Sequence, residues 1–246
     1  MLTLLSLKKE LKDRASPRKA KILQKFFKTG PGEYGEGDVF LGITVPDIRE
    51  VAKKYICLKI EDVVKLLHSK IHEDRLTALL IMVNKFQTGN DKEKIYNLYL
   101  KNTKYINSWD LVDLSADKIV GAYLSDKPKS ILYKLAKSKS VWEKRISIMA
   151  TFNFIKNNKF EETLKTAKIL LNDEHDLIHK AVGWMLREIG KRELKTEEKF
   201  LKKYYKKMPR TMLRYAIEKF SEKKRKQYLL TYITSSRPAI DKILVL

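Results

Sequence analysis

The chain has 246 residues, 43% of them hydrophobic and 33% charged, which is long enough to bury a sizeable core. Its 52 lysines and arginines outweigh 30 acidic residues, for a formal charge of +22. One cysteine, Cys57, excludes a disulfide framework and a cysteine-based zinc site, and only 9 Gly and 6 Pro disfavour a fold of many short strands.

So large a positive excess predicts self-repulsion unless a polyanion is the usual partner. Nucleic acid is the first candidate and an anionic membrane the second. A lysine-rich background usage would account for part of the excess but not for uneven placement along the chain.

The N-terminal "MLTLLSLKKELK" puts its charges after a short apolar run, the reverse of a signal peptide, and no run approaches a membrane span. A cytoplasmic protein is expected. "SPRKAKILQKFFKTG" (16–30) reads as a helix opened by Ser16 and Pro17 and closed by Gly30. The Gly-rich, acidic stretch "TGPGEYGEGDVFLGITV" (29–45) follows, an irregular segment long enough to be functional, with a plain connector as the equal alternative. Pro46 then starts "PDIREVAKKY". The histidines fall in two pairs at i, i+4, His68 with His72 and His175 with His179. That spacing suits a two-histidine metal site, but no H-E-x-x-H accompanies it, so solvated helix faces and no metal are expected. No cofactor is expected either.

Three later segments share one layout: 63–86, 132–155 and 167–190 each join two apolar-periodic helices through a polar break, and 201–220 fits more loosely. Arg75, Arg145, Lys180 and Arg214 fall early in the second helix of each pair, separated by 70, 35 and 34 residues. The missing member lands on "SWDLVD", near residue 110. Ser140 and Glu143 form a capping-box pattern, and Asn107 is placed to cap the helix that carries Trp109. Hairpin signals are absent. The expected fold is all-α, a superhelical solenoid of antiparallel HEAT-like or ARM-like helix pairs, roughly six to seven of them, with a concave basic groove. One domain covering 1–246 is expected, with the apolar tail "SSRPAIDKILVL" capping the last repeat.

A cation at one position per pair would line a face with charge, as a clamp on DNA phosphates requires. Salt bridges between repeats explain any single one of these residues equally well. The pair near 110 breaks the rule with Trp109, Asp110 and Asp113, and Trp109 and Asp113 lie one helical turn apart. Asp113 is therefore either a surface carboxylate paired with a lysine or the one negative group in a positive groove. Lys180, Trp184, Arg187 and Lys191 share a helix face, an indole set among cations. An amphipathic-helix tryptophan is more often core than ligand contact.

If the groove holds duplex DNA, Trp109 and Trp184 with Asp113 suggest a chemistry. Indole faces attract cations, and a purine alkylated on N3 or N7 is a cation. Loss of that base leaves an oxocarbenium-like sugar that one carboxylate can stabilise while it positions water. Departure neutralises the base, so no second, proton-donating carboxylate is required.

The pieces "FLGITVPDIRE", "SWDLVD", "VWEKRISI" and "IHKAVGWMLREIGK" resemble the AlkD-type DNA alkylation repair family, the HEAT-like-repeat DNA glycosylases, over nearly the whole chain. The resemblance implies a monofunctional glycosylase excising 3-alkyladenine and 7-alkylguanine from duplex DNA in base excision repair. It implies Asp113 as the catalytic carboxylate, Trp109 and Trp184 packing around the lesion's sugar and backbone, and Arg145 as a phosphate contact. It also implies processing without a tight base pocket. Lys180, Arg187, Lys191, Phe26, Arg75 and Arg214 complete the expected DNA contacts. Phe26 stands where the family pattern has a tyrosine, which removes a hydroxyl contact, and Ser108 precedes Trp109 where some members have a second tryptophan. The "GPGEYGEGD" insert occurs in one version of the family. A monomer without an obligate protein partner, nucleoid-associated when on DNA, is expected. Two readings rival the glycosylase: a non-catalytic DNA-binding protein for distorted or branched DNA, and a protein-interaction scaffold.

Overall fold

The computed structural model describes residues 2–236, with side chains to Leu230. The expected cap formed by the C-terminal tail lies outside the described residues. Every regular element among them is helical, and the nearest approach to a strand is an isolated bridge between Val39 and Ile71. Residue contacts divide the chain into two compact units, Met1–Lys127 and Pro128–Leu246.

In the first unit, α1 (Leu4–Asp13) starts at a reciprocal cap between Thr3 and Ser6. Helix α2 (Pro17–Phe26) starts where expected, with the Ser16 side chain accepting from Lys19 N. It ends four residues before Gly30, because the backbone turns left-handed at Lys28 (φ 53°). Helix α3 (Val45–Lys54) carries Pro46 in its first turn. The pair α4 (Ile60–Leu67) and α5 (His72–Thr88) follows, then α6 (Lys92–Lys101) and α7 (Trp109–Ala116), which runs into a π-type turn at Asp117–Gly121. Helix α5 is central, packed against α3, α4, α6 and α7. It is buried from His72 to Val83, so its charged first turn, "HEDR", is enclosed along with its leucines.

The long segment before α3 is anchored to that first turn. Glu73 accepts from three successive backbone amides, Leu41 (2.9 Å), Gly42 (2.8 Å) and Ile43 (3.3 Å). Val39 exchanges backbone hydrogen bonds with Lys70 and His72. Gly42 holds φ +83° against α2, where a Cβ would stand 2.6 Å from Ala20 N, so only glycine fits. The segment is thus a structural part of the unit, not a slack connector.

The second unit repeats the layout with α8 (Ser130–Ala136) and α9 (Val141–Ala150), the short α10 (Phe152–Lys156), α11 (Glu161–Ile169) and α12 (Asp176–Gly190), then α13 (Leu194–Tyr204), α14 (Arg210–Ala216) and α15 (Glu222–Ser236). The second helices α9, α12 and α14 pack in series, with α8 and α11 against their partners. Gly183 lets α12 and α14 meet closely, since a Cβ there would come 2.5 Å from Met212 O. Ser140 caps α9 by accepting from Glu143 N, but its own amide is taken by Ser138 Oγ (3.0 Å). The predicted reciprocal bond from Glu143 is therefore displaced.

Glu197 in α13 is 1% exposed, and burial, reinforced by Glu198, pushes its carboxyl up to about 8 against Arg187. The folded chain keeps this proton up to pH about 8, while the unfolded chain releases it near the ordinary 4.5. Stability therefore falls as pH rises between those values. Glu197→Gln is expected to raise the melting temperature by roughly 4 °C or more at neutral pH and to change little at pH about 4. Melting curves at the two pH values check this, and an equal shift at both would show that the carboxyl is not buried as a neutral acid.

Candidate nucleic-acid interface

The register of the repeats survives in the helices. Asp113, Arg145, Lys180 and Arg214 are each the fifth residue of a second helix, and Arg75 is the fourth of α5. Position in the helix, however, does not settle what each side chain meets.

Arg75 is 3% exposed and places Nη2 at 2.7 Å from both carboxylate oxygens of Asp38, while Nη1 donates to Ser69 O (3.0 Å). Expected as a phosphate contact, it is instead an internal tie between α5 and the 29–45 segment. Arg145 is 5% exposed, and its Nη1 donates to Leu177 O (2.6 Å), so it faces the packed junction of α9 with α12. Both guanidiniums follow the bridging alternative, because a cation removed from water must find acceptors in the protein.

The remaining cations are more accessible. Lys180 pairs with Asp176 (2.7 Å) at 40% side-chain exposure, and Lys191 pairs with Glu188 (2.6 Å) at 42%. Arg187 pairs with Glu218, and Arg214 is exposed in a polar recess shared with Asp176, Lys180, Thr211, Tyr215 and Glu218. Trp184 is half-buried in α12 and donates from Nε1 to Glu188 Oε1 (3.2 Å). The face read as an indole among cations thus has a carboxylate, Glu188, at its centre, which Lys191 and Arg192 also approach.

The first unit gathers the residues that break the basic pattern. Trp109 and Asp113 sit one turn apart on α7, both half-buried. Asp113 and Asp117 add to the burial that raises the Tyr99 phenol, while the Tyr99 hydroxyl shares a 2.9 Å hydrogen bond with Ser115. The Trp109 ring stacks on Phe27 (5.1 Å, 9° between planes), and the edge of Phe26 meets it at 5.9 Å. Phe26 is 61% exposed, an apolar ring presented to solvent beside an indole. The structure therefore brings Phe26, Trp109 and Asp113 together in one unit.

The cap of α7 differs from expectation. Ser108, not Asn107, precedes the first turn, and it makes no side-chain cap bond. Asp110 is drawn inward instead: its Oδ2 lies 2.8 Å from His72 Nε2, and His72 Nδ1 lies 3.0 Å from Asp38 Oδ2. His72 is 2% exposed, the opposite of a solvated helix face. Burial opposes its charge, but the hydrogen bonds to Asp110 and Asp38 prevail and push its pKa up to about 9. Asp110 is held below its ordinary value, chiefly by that imidazole against the cost of burial. His68 belongs to a different helix end and meets Asn102 at 2.7 Å, so the i, i+4 pair never shares a face. No cluster of three or more potential metal ligands occurs among the described residues.

Sequence reasoning missed this network. Its acidic members, Asp38 and Asp110, lie 34 and 38 residues from His72, and no helical or strand period relates them. The signal that was present is "HEDR", four ionisable residues opening an otherwise apolar helix.

Helix pairs with a regularly placed charged position define an all-α protein of HEAT-like repeats. A profile of the family "DNA alkylation repair enzyme" matches residues 7–220, and the chain belongs to that family. Its role is accordingly in DNA repair, with DNA as partner. Among solved structures, a predicted DNA alkylation repair enzyme from Enterococcus faecalis has the same fold, at TM-score 0.65 and 16% identity over 85% of this chain and 98% of that one. A search of curated proteins returned no match. No helix among the described residues is long and apolar enough to cross a membrane.

Proposed function

We propose that the chain is a monofunctional DNA glycosylase that removes cationic alkylated purines, 3-alkyladenine and 7-alkylguanine, from duplex DNA. The observation that carries the reading is the placement of Asp113 one turn beyond Trp109, whose ring is packed on Phe27 and edged by the exposed Phe26. The rings supply flat, electron-rich faces for a positively charged nucleotide, an attraction that grows as water is excluded. Asp113 faces the deoxyribose. The C1′–N bond breaks with its electron pair passing to the purine, which leaves neutral and unprotonated. Asp113 stabilises the positive sugar and takes the proton of the water whose oxygen adds to C1′.

Trp184 is assigned a second aromatic contact with the DNA, as the resemblance implies. Lys180, Arg187, Lys191 and Arg214 are assigned to phosphates, and Phe26 to the apolar border of the lesion. Arg75 and Arg145 are left to packing. Action as a monomer in the cytoplasm completes the reading.

Incubating the protein with methylated duplex DNA and measuring freed bases tests it. Release of 3-methyladenine and 7-methylguanine with intact strands is expected. DNA binding without release would favour the non-catalytic reading instead.

A further inference from the structure

Helix α7 has a weakness at the end where the proposed site begins. It spans only Trp109–Ala116, and Ser108 offers its first amides no side-chain cap. Something else must fix its start, and the second residue of the helix, Asp110, supplies the link by reaching His72.

We infer that His72 is a positioning residue: its ring, hydrogen-bonded at both nitrogens between Asp38 and Asp110, fixes the first turn of α7 and thereby the placement of Trp109 and Asp113. The inference rests on the function proposed above. Ionised carboxylates only accept hydrogen bonds, so a ring set between two of them must carry a proton on each nitrogen. A neutral imidazole has one N–H and could hold one partner, releasing either the 29–45 segment or α7. The ring is also wedged among aromatics, at 4.4 Å from Phe40 in a stacked arrangement and at 5.0 Å from Phe27. Phe27 is the ring on which Trp109 stacks, so His72 reaches the indole by two routes, through Asp110 along the backbone and through Phe27 by packing.

The charged groups around the ring are Asp38 from the 29–45 segment, Asp110 from α7, and Arg75 and Glu73 from α5 itself, with Lys19 of α2 lining the cavity that His72, Glu73 and Asp110 also line. Arg75 is held by Asp38, and Glu73 is turned to the amides of residues 41–43. Phe27 and Phe40 pack on the ring without charge. His72 is only 2% exposed, so its influence on DNA chemistry passes through α7.

Indole ¹⁵N spectra of the full chain test this, because its three tryptophans give three signals and Trp109 is assigned by its absence in Trp109→Phe. His72→Gln is expected to shift the Trp109 signal and leave those of Trp142 and Trp184 in place. The variant should release 7-methylguanine roughly 10- to 100-fold more slowly in single turnover, because the carboxylate is displaced. Its affinity for duplex DNA should stay within about twofold of the parent, since no phosphate contact is removed. In the unmodified protein, raising pH through about 9 should move the Trp109 signal, a titration absent from His72→Gln. If His72→Gln does not fold, Asp110→Asn replaces it and should move that midpoint down.

A Trp109 signal indifferent to both the substitution and alkaline pH overturns the inference. So does a rate that falls only in proportion to the unfolded fraction. Should the unmodified protein release no base at all, the proposed reaction fails, and the Trp109 spectra alone decide the positioning role.

Discussion

Asp113→Asn is expected to lower release of 7-methylguanine by on the order of 100-fold or more while duplex binding is retained. The substitution preserves the shape of the side chain on α7 and removes its charge. Charge is what the proposed reaction uses. As the glycosidic bond breaks, the positive charge moves from the purine to the sugar, and a carboxylate near C1′ is worth far more at that stage than in the bound state. An amide offers neither the compensating charge nor a base for the attacking water. Binding should persist or tighten slightly, because one negative group has been taken from the neighbourhood of phosphates. Single-turnover release and equilibrium binding, measured on the same methylated duplex, separate the two effects. Unchanged release would remove Asp113 from the chemistry, and binding by a parent protein that releases nothing would favour a reader of distorted DNA.

The second large effect is on salt. Lys180, Lys191 and Arg214 are accessible cations of the second unit and Arg187 is 16% exposed, and four phosphates neutralised by them give a logarithmic slope of about −3.6, or roughly 150-fold weaker binding between 50 and 200 mM salt. Their existing partners, Asp176, Glu218 and Glu188, do not prevent this. The Lys180–Asp176 pair is exposed on both sides, and such pairs contribute only about 0–1 kcal/mol, so a phosphate can replace that carboxylate at little cost. Arg214→Ala should flatten the slope by about 1. Arg75→Ala should behave differently: it leaves Asp38 buried without its bidentate partner, which costs about 3–5 kcal/mol of stability, and its slope should match the parent's. Binding titrations at several salt concentrations, with a melting curve for each variant, check the contrast. A shallow salt dependence in the parent would favour a protein-interaction scaffold.

The contrast between Arg75 and Arg214 also marks where sequence reading stops. Both occupy corresponding places in their helices, and the repeat spacing finds both. Whether a guanidinium faces solvent or an aspartate depends on what another part of the chain brings to it. For Arg75 that is Asp38, carried on a segment read equally well as a connector. The same applies to His72, placed on a solvated face by its spacing from His68 and found between two distant carboxylates. At the cap of α7 the local pattern offered Asn107, but Asp110 is drawn to His72 and Ser108 holds the cap position.

What the amino-acid order determined by itself is whatever depends on neighbours three, four or about 35 residues away. The helix pairs, their register, the starts of α2, α3 and α9, and the position of Asp113 one turn after Trp109 all follow from local periodicity and capping, and all are legible in one dimension. Tertiary structure alone decided which charges are enclosed: the enclosure of Arg75 and Arg145, the bridge through His72, and the seating of Phe26 and Phe27 on Trp109. The reason is physical. Helical periodicity is imposed by the backbone of each segment, whereas burial of a charge is favourable only where a partner from elsewhere in the chain replaces the water it loses.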